Sequence, residues 1–161
     1  MKVLIAYATK YGFTEMMAEK LAENIGQQVQ LVNLKKEKRD SIKLSEYDAI
    51  AVGGSIYAGN IQKEIKEFYS KNKQEILKRP IGLFLCCAET DKIDEQLELS
   101  FDRDLLDHAV ATGHFGYQYN FDKMNFLFKM MVRVISKQTE NETVVNEDNI
   151  KEFADKLVKA V

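Results

Sequence analysis

The chain has 161 residues, of which 45% are hydrophobic and 30% are charged, as is typical of a soluble globular domain. A domain of this size buries about 70% of its unfolded surface and needs neither disulfides nor a structural metal to fold. Its 23 basic and 25 acidic residues leave a net charge of −2, which argues against the strongly basic face of a nucleic-acid binder. We therefore expect one domain over residues 1–161 and no nucleic-acid partner.

The cysteine and histidine content gives no metal or redox motif. Cys86 and Cys87 are adjacent, so they form neither a C-x-x-C redox pair nor a zinc ligand pair. Only His108 and His114 could add imidazole ligands, and their spacing fits no common zinc site. We predict no metal and two buried free thiols at the end of a strand. A reducing, cytoplasmic setting fits this cysteine usage.

The first element is a continuous apolar run over residues 3–8, typical of a strand that is covered on both faces. The run is too short for a signal peptide, and no stretch reaches the ~18 apolar residues of a membrane-spanning helix. A helix is predicted over residues 14–25, where apolar side chains recur at every fourth position. A short strand at residues 29–33 and a polar connection at residues 35–44 follow.

The rest of the chain continues to alternate between strands and helices. A buried strand at residues 49–52 ends in two glycines, and the spacing of Ile61, Ile65 and Phe68 predicts the next helix. The remaining predicted elements are a strand at 81–86, a helix at 97–108, a strand at 109–119, and helices at 121–137 and 147–161. Strands separated by helices indicate an α/β domain with a doubly wound, five-stranded parallel sheet. In such sheets, ligands bind beyond the carboxyl ends of the strands.

The first loop connects the first strand to the first helix. It consists of Thr9, Lys10, Tyr11, Gly12, Phe13 and Thr14. Free N–H groups and the positive end of the helix dipole make a helix N-terminus an anion site. The threonine hydroxyls can donate hydrogen bonds to a phosphate, and Gly12 permits a positive φ. The alternative is that Thr14 only caps the helix.

The same loops argue against three other classes of phosphate-binding protein. The first loop is neither a G-x-x-x-x-G-K-[ST] nor a G-x-G-x-x-G motif. A phospho-receiver domain shares the architecture but needs carboxylates at the ends of the first and third strands to hold a divalent cation. Those ends read Ala8-Thr9 and Gly53-Gly54-Ser55, without a carboxylate.

The second loop, after the third strand, is rich in small residues. It reads GGSIYAGN over residues 53–60. Small residues leave room for a flat ligand against the backbone, and Gly59 permits a peptide orientation that other residues resist. The alternative is an ordinary connection between a strand and a helix.

Together, TKYGFT at residues 9–14 and GGSIYAGNIQKEIKEF at residues 53–68 resemble the flavodoxin-like family that includes the bacterial menaquinone-dependent protoporphyrinogen dehydrogenase. The resemblance continues in GYQY at residues 116–119, in FLFKMM at residues 126–131 and over residues 149–157. It implies a flavodoxin-like sheet of strand order 2-1-3-4-5 and noncovalently bound FMN. It also implies oxidoreductase activity or electron transport through the flavin.

The resemblance also implies which residues contact the cofactor. The first loop, from Thr9 to Thr14, would surround the FMN phosphate. One side of the isoalloxazine ring would meet Ser55, Ile56, Tyr57, Ala58 and Gly59. The other side would meet Cys87, Ala88, Glu89 and Thr90, with Tyr117 also approaching the ring. No acid–base pair stands out as catalytic, so the flavin would supply the reactivity.

Two features depart from the family's pattern. Members close to the dehydrogenase carry a basic residue and then an aromatic residue before the loop glycine, where this chain has Tyr57-Ala58. Their insertion after the fourth strand is basic, whereas residues 88–107 here, the acidic segment, hold eight acidic and two basic residues. An acidic rim would repel the propionates of a porphyrinogen and would suit a basic redox partner protein. A solvated helix face is the alternative.

The predicted helix from Phe121 to Lys137 has an unusually wide apolar face. Its apolar side chains span more than the ~100° of an ordinary buried stripe, and basic residues fill the remaining face. This pattern fits a helix on the inner membrane surface, a helix packed in the core, or a homodimer contact.

We therefore expect an FMN-dependent oxidoreductase that exchanges electrons with a redox partner protein or a quinone, with a porphyrinogen as candidate substrate. A flavodoxin-type electron carrier is the alternative, and a non-redox phosphate-binding module is a third.

Overall fold

The structure is a computed structural model that describes residues 1–37 and 42–161. Its strands are β1 (Lys2–Ala8), β2 (Gln28–Asn33), β3 (Ala49–Tyr57), β4 (Asn60–Ile61), β5 (Ile81–Cys86), β6 (Ala111–His114), β7 (Gly116–Tyr119) and β8 (Glu142–Val145). Its α-helices are α1 (Phe13–Ile25), α2 (Lys63–Ile76), α3 (Ile93–Ser100), α4 (Arg103–His108), α5 (Phe126–Ser136) and α6 (Glu147–Lys159). Among the residues described, none of these helices is long and apolar enough to cross a bilayer.

The central sheet has the strand order β2-β1-β3-β5-β6, and all of these strands run parallel. This confirms the predicted order 2-1-3-4-5, because β4 only forms a short antiparallel hairpin with the end of β3. The chain moves outward from β1 in both directions, so the loops after β1 and β3 diverge and leave a crevice between them.

The sheet buries a hydrophobic core on each face. One core contains side chains of α2, α3 and α4, and the other contains side chains of α1 and α6. On the second face, the Phe84 ring stacks on Phe115 with centroids 4.7 Å apart, and Phe153 meets both rings edge-on. The strands β1, β3 and β5 are continuously apolar because both faces of the sheet are buried, as predicted.

The strand β3 extends beyond its predicted end at residue 52, so most of the predicted second loop is regular structure. Gly53 pairs with Phe84 across the sheet, and a Cβ at Gly53 would collide with the Phe84 ring. Gly53 and Gly54 are therefore needed for close packing within the sheet. Within the predicted loop, only Ala58 and Gly59 form a turn. Both have positive φ values, 49° and 72°, as is typical of a two-residue hairpin turn. We call this pair the hairpin turn.

The predicted strand at residues 109–119 is in fact two strands in different sheets. The first, β6, closes the parallel sheet, and the second, β7, pairs antiparallel with β8. The change of direction occurs at Gly116, which has a φ of 108° and lies directly against the Val144 carbonyl. β8 was not predicted, because its sequence ETVV lacks the continuous apolar run that marks the equally short segment at residues 49–52.

Three further boundaries differ from the sequence-based prediction. The helix predicted at residues 97–108 is divided into α3 and α4. α5 begins only at Phe126, where the Asn125 side chain accepts a hydrogen bond of 2.8 Å from the Phe128 N–H. It ends before Lys137, which has a φ of 58°. The connection predicted at residues 35–44 lies partly outside the described residues.

Candidate functional site

A cleft of about 580 Å³ lies at the carboxyl edge of the sheet. Its walls are the hairpin turn, the loop after β5, the strand β7 and the helix α5. Most of the predicted cofactor residues line it, namely Tyr11, Phe13, Ser55, Ile56, Tyr57, Ala58, Gly59, Cys87, Ala88, Glu89 and Tyr117. The volume lies within the roughly 300–1,000 Å³ of small-molecule sites, so the cleft can hold a cofactor-sized ligand.

The first loop forms one end of this site and leads into α1. Thr9 orders the loop, because its hydroxyl oxygen accepts a hydrogen bond of 3.0 Å from the Gly12 N–H. Gly12 immediately precedes the helix with a φ of 96° and has no side chain that could cap it. The N–H groups of the first turn of α1 therefore have no side-chain cap, which suits an anion at the positive end of the helix.

Lys123 adds a positive charge to the first loop, and sequence reasoning missed it. Its Nζ donates a hydrogen bond of 3.2 Å to the Tyr11 carbonyl and lies 3.8 Å from where a Gly12 Cβ would be. The Lys10 Nζ lies against the rings of Tyr11, Tyr57 and Phe128, 4.3 Å from the centroid of the Phe128 ring. The contact joins distant parts of the chain, so no local pattern could predict it. The one relevant sequence signal was the excess of basic residues at residues 121–137.

Thr14 and Ser55 join the first loop to β3 beneath the cleft. Thr14 is fully buried, and its hydroxyl is hydrogen-bonded to the Ser55 hydroxyl. The Ser55 N–H in turn donates a bond of 2.9 Å to the Gln62 side-chain carbonyl. The alternative that Thr14 caps α1 is therefore not what the structure shows. Its hydroxyl instead fixes the position of the first loop relative to the sheet.

Aromatic side chains from three distant segments meet at the mouth of the cleft. Tyr11, Tyr57 and Phe128 form a triangle with ring centroids 5.8–6.0 Å apart. Burial raises the pKa of Tyr57 to about 12, so its phenol stays neutral at physiological pH. The cluster gives the cleft an apolar wall that can exclude water from a flat ligand. Phe128 and its neighbour Met131 were not predicted as site residues.

The loop after β5 forms the opposite wall of the cleft. Cys87, Ala88 and Glu89 line the cleft, whereas Thr90 lies in a separate cavity of about 320 Å³. Both thiols are free and buried, as predicted. Burial raises the pKa of Cys87 to about 11, so it remains a thiol and makes a poor nucleophile.

The His114 side chain is hydrogen-bonded to the backbone of the loop after β5. The Asn146 side-chain amide donates a hydrogen bond of 3.0 Å to Nδ1 of His114, so Nε2 carries the ring proton. Nε2 then donates a bond of 2.7 Å to the Cys87 carbonyl. Because both ring nitrogens are used in this way, the neutral imidazole fits the site and the imidazolium does not.

We expect His114 to make stability depend on pH. Burial lowers its pKa below the usual value of 6.5, so below pH 6.5 the unfolded state binds more protons than the folded state. Its contribution is complete above pH 6.5 and is lost as the pH falls through the lower, folded-state pKa. Urea unfolding across this range should show the decline in the wild type and in His108→Gln, in which the exposed histidine is changed. An undiminished slope in His114→Gln would contradict this assignment.

Comparison with known proteins assigns the chain to a family. A profile of the flavodoxin domain matches residues 4–146, so the chain belongs to the flavodoxin domain family. No curated protein matches the sequence significantly.

Solved structures show the same fold at low sequence identity. Flavodoxin 2 from Bacillus cereus is 16% identical, with a TM-score of 0.61 and complete coverage of both chains. A flavodoxin from Streptococcus pneumoniae is 15% identical, with a TM-score of 0.57 and the same coverage. The rubredoxin oxygen:oxidoreductase from Desulfovibrio gigas is 17% identical, with a TM-score of 0.62 over 99% of this chain. The chain spans about a third of that protein, 35% of its length.

Proposed function

We propose that this chain binds FMN noncovalently in the cleft and carries electrons through it. The observation that carries the proposal is the position of the uncapped N-terminus of α1 at one end of an aromatic-walled cleft of about 580 Å³. A phosphorylated, flat, aromatic ligand is the chemistry that fits both parts. Membership in the flavodoxin domain family supports the same function.

The chain's own residues fit the phosphate of FMN. The N–H groups at the start of α1 would donate hydrogen bonds to it, with Gly12 leaving space for the close approach. Lys123 would add a cation, and Thr9 would hold the loop in shape through its hydrogen bond to Gly12. A dianion can be bound in this way without an arginine.

The ring system of FMN would lie against the aromatic cluster and the hairpin turn. Tyr57 would provide an apolar face, and the backbone of Ala58 and Gly59 would offer carbonyl and N–H groups to polar ring atoms. Bound FMN supplies the redox chemistry, and the protein supplies binding, orientation and electrostatics. We propose no side chain as a catalytic acid or base.

The acidic segment supports a basic redox protein as the proposed electron partner. Glu89 and Asp91 line the cleft, and Asp94 and Glu95 are exposed on the adjoining α3. The Asp102 and Asp104 carboxylates pair with Lys73, and the Glu89 carboxylate lies 3.9 Å from Lys92 Nζ. Asp91, Asp94 and Glu95 would therefore carry most of the negative charge of this rim. A basic redox protein would be attracted to such a rim, and its association rate would fall as salt rises.

The test is electron transfer from the reduced, FMN-loaded protein to cytochrome c, a basic one-electron acceptor. We expect the rate to fall steeply with ionic strength and to fall at low salt in Asp94→Asn/Glu95→Gln. The matched variant Asp155→Asn/Glu23→Gln removes the same charge from exposed positions on other helices and should behave as the wild type. A rate that is insensitive to salt, or equally slow in both variants, would contradict docking at the acidic rim.

A dehydrogenase acting on a porphyrinogen, with a quinone as acceptor, is the second candidate. The observation that favours it is the apolar wall of the cleft contributed by Met131, Val132 and Ile135, which suits a large hydrophobic reactant. The acidic rim opposes it, because porphyrinogen propionates are anionic. Turnover of protoporphyrinogen with menaquinone by the FMN-loaded protein would favour this candidate, and its absence alongside transfer to cytochrome c would favour the carrier.

A further inference from the structure

The helix α5 exposes a stripe of large apolar side chains. We call Phe126, Leu127, Met130 and Val134 the apolar stripe. Their exposed fractions range from 50% to 76%, and only Val132 of α5 is buried. At 100° per residue the four side chains lie within about 100° of the helix surface. The apolar stripe is therefore not packed in the core, contrary to one of the three explanations offered for this helix. The other two, a membrane contact and a contact with a second copy, are still to be decided.

The rest of α5 is held by a small cluster that is separate from both cores of the sheet. Val132 packs with Phe121 and Met124, and Tyr11, Tyr119 and Phe128 border them. The inner side of the helix therefore has its partners within this chain. The apolar stripe leaves several large apolar side chains exposed side by side, and contiguous patches of this kind mark interaction sites.

The charge around the stripe is positive although the whole chain is negative. Residues 121–137 hold four basic residues and a single acidic one, whereas the chain has a net charge of −2. Lys129 and Arg133 follow one edge of the stripe on the helix surface, and α5 contains no acidic residue. A bilayer that contains acidic lipids has anionic headgroups above an apolar interior. An apolar stripe bordered by cations is complementary to such a bilayer.

A second copy of the chain fits this surface less well. An isologous contact with antiparallel α5 helices would bring Lys129 and Arg133 of both copies close together at the margin of the interface. Acidic lipid headgroups would instead neutralise these cations, and this charge complementarity favours the lipid surface.

We propose that α5 is a peripheral membrane anchor that lays its apolar stripe into the headgroup region of an anionic lipid bilayer. Lys129 and Arg133 contact lipid phosphates while the stripe enters the boundary of the acyl chains. The opposite side of α5 lines the cleft, so in the bound orientation α5 lies between the bilayer surface and the cleft. The anchor is independent of the proposed flavin, because the stripe residues Phe126, Leu127 and Met130 are not among those that line the cleft.

Vesicle co-sedimentation tests the anchor, with full-length protein in its FMN-free and FMN-loaded forms. Vesicles of phosphatidylcholine alone are compared with vesicles of phosphatidylcholine and phosphatidylglycerol in equal parts. We expect sedimentation only with the anionic vesicles, weakened by added salt and unaffected by FMN. Leu127→Ser/Val134→Ser should lower the affinity by about tenfold or more. The matched control Leu99→Ser/Val161→Ser changes residues that are 55% and 58% exposed on other parts of the surface and should bind normally.

Four outcomes would overturn the proposal. The first is no binding to anionic vesicles, and the second is equal binding to both vesicle types. The third is an equal loss of binding in the stripe variant and its control. The fourth is a stable dimer in sedimentation equilibrium that the stripe variant converts to monomer, which would assign the surface to a second copy. Because the FMN-free protein is also measured, failure of flavin binding leaves this test intact.

Discussion

Replacing Gly12 with valine should weaken FMN binding by about 100-fold or more while changing riboflavin binding by no more than about threefold. Valine disfavours the positive φ of this position, so the first loop would change conformation. The N–H groups at the start of α1 would then no longer point at the FMN phosphate. Two lost charge-assisted hydrogen bonds of ~1.5 kcal/mol each correspond to about a 100-fold loss. Riboflavin lacks the phosphate and should be insensitive to the change.

The matched control for this prediction is Gly26→Val at the other end of α1. Gly26 caps the C-terminus of the helix with a φ of 60°, so valine there imposes similar backbone strain far from the cleft. Titration of flavin fluorescence gives both affinities for both variants. Unfolding by urea should show comparable destabilisation, and only Gly12→Val should lose discrimination between FMN and riboflavin. Loss of that discrimination in both variants, or in neither, would contradict the proposed phosphate site.

Truncating Phe84 to alanine should destabilise the fold by about 3–5 kcal/mol, the usual cost of removing a fully buried aromatic side chain. The Phe84 ring stacks on Phe115 and covers Gly53, so its loss leaves a cavity between the sheet and the packed rings. The free energy of unfolding, measured in urea, gives the cost. Phe84→Leu should cost less and serves if the alanine variant does not fold.

Phe126→Ala removes the same side chain from α5 and provides the comparison. Phe126 is 72% exposed, so we expect a change within about 0.5 kcal/mol. A cost comparable with that of Phe84→Ala would mean that α5 packs its outer stripe against this chain or a second copy, contrary to the structure described. Similar, small costs for both variants would contradict the position of Phe84 at the centre of the core.

The features that sequence analysis could predict arise from local patterns. The run at residues 3–8 is apolar because β1 is covered on both faces, and that requirement is visible in six residues. The alternation of strands and helices then limits the topology, because parallel strands need crossover helices. The first loop and the loop after β5 could be placed beside the cleft for the same reason, since each directly follows a strand of the parallel sheet.

The features that escaped prediction depend on contacts between distant residues. The strand β3 continues through Gly53 because it stays paired with β1 and β5 there, and only glycine leaves room for the Phe84 ring. Lys123 reaches the first loop only because the turn after β7 folds back toward α1. The chain reverses at Gly116 against the Val144 carbonyl. None of these pairings leaves a periodic signal in the sequence.

The cleft contains residues that the sequence could predict and residues that depend on contacts between distant segments. Tyr57 could be predicted as a cleft residue from the resemblance of residues 53–68 to the flavodoxin-like family, whereas Phe128 joins it only through the placement of α5. The same helix that completes the aromatic wall exposes the apolar stripe on its outer side. The wide apolar face seen in the sequence therefore has two separate causes, one in the cleft and one at the surface.

The most direct test of the account is titration of the flavin-free protein with FMN, followed by gel filtration. We predict that one FMN per chain elutes with the polypeptide and that the protein is yellow. Riboflavin, which lacks the phosphate, should be retained much more weakly. Separation of FMN from the protein on the column, or equal retention of the two flavins, would contradict a phosphate-anchored flavin in this cleft.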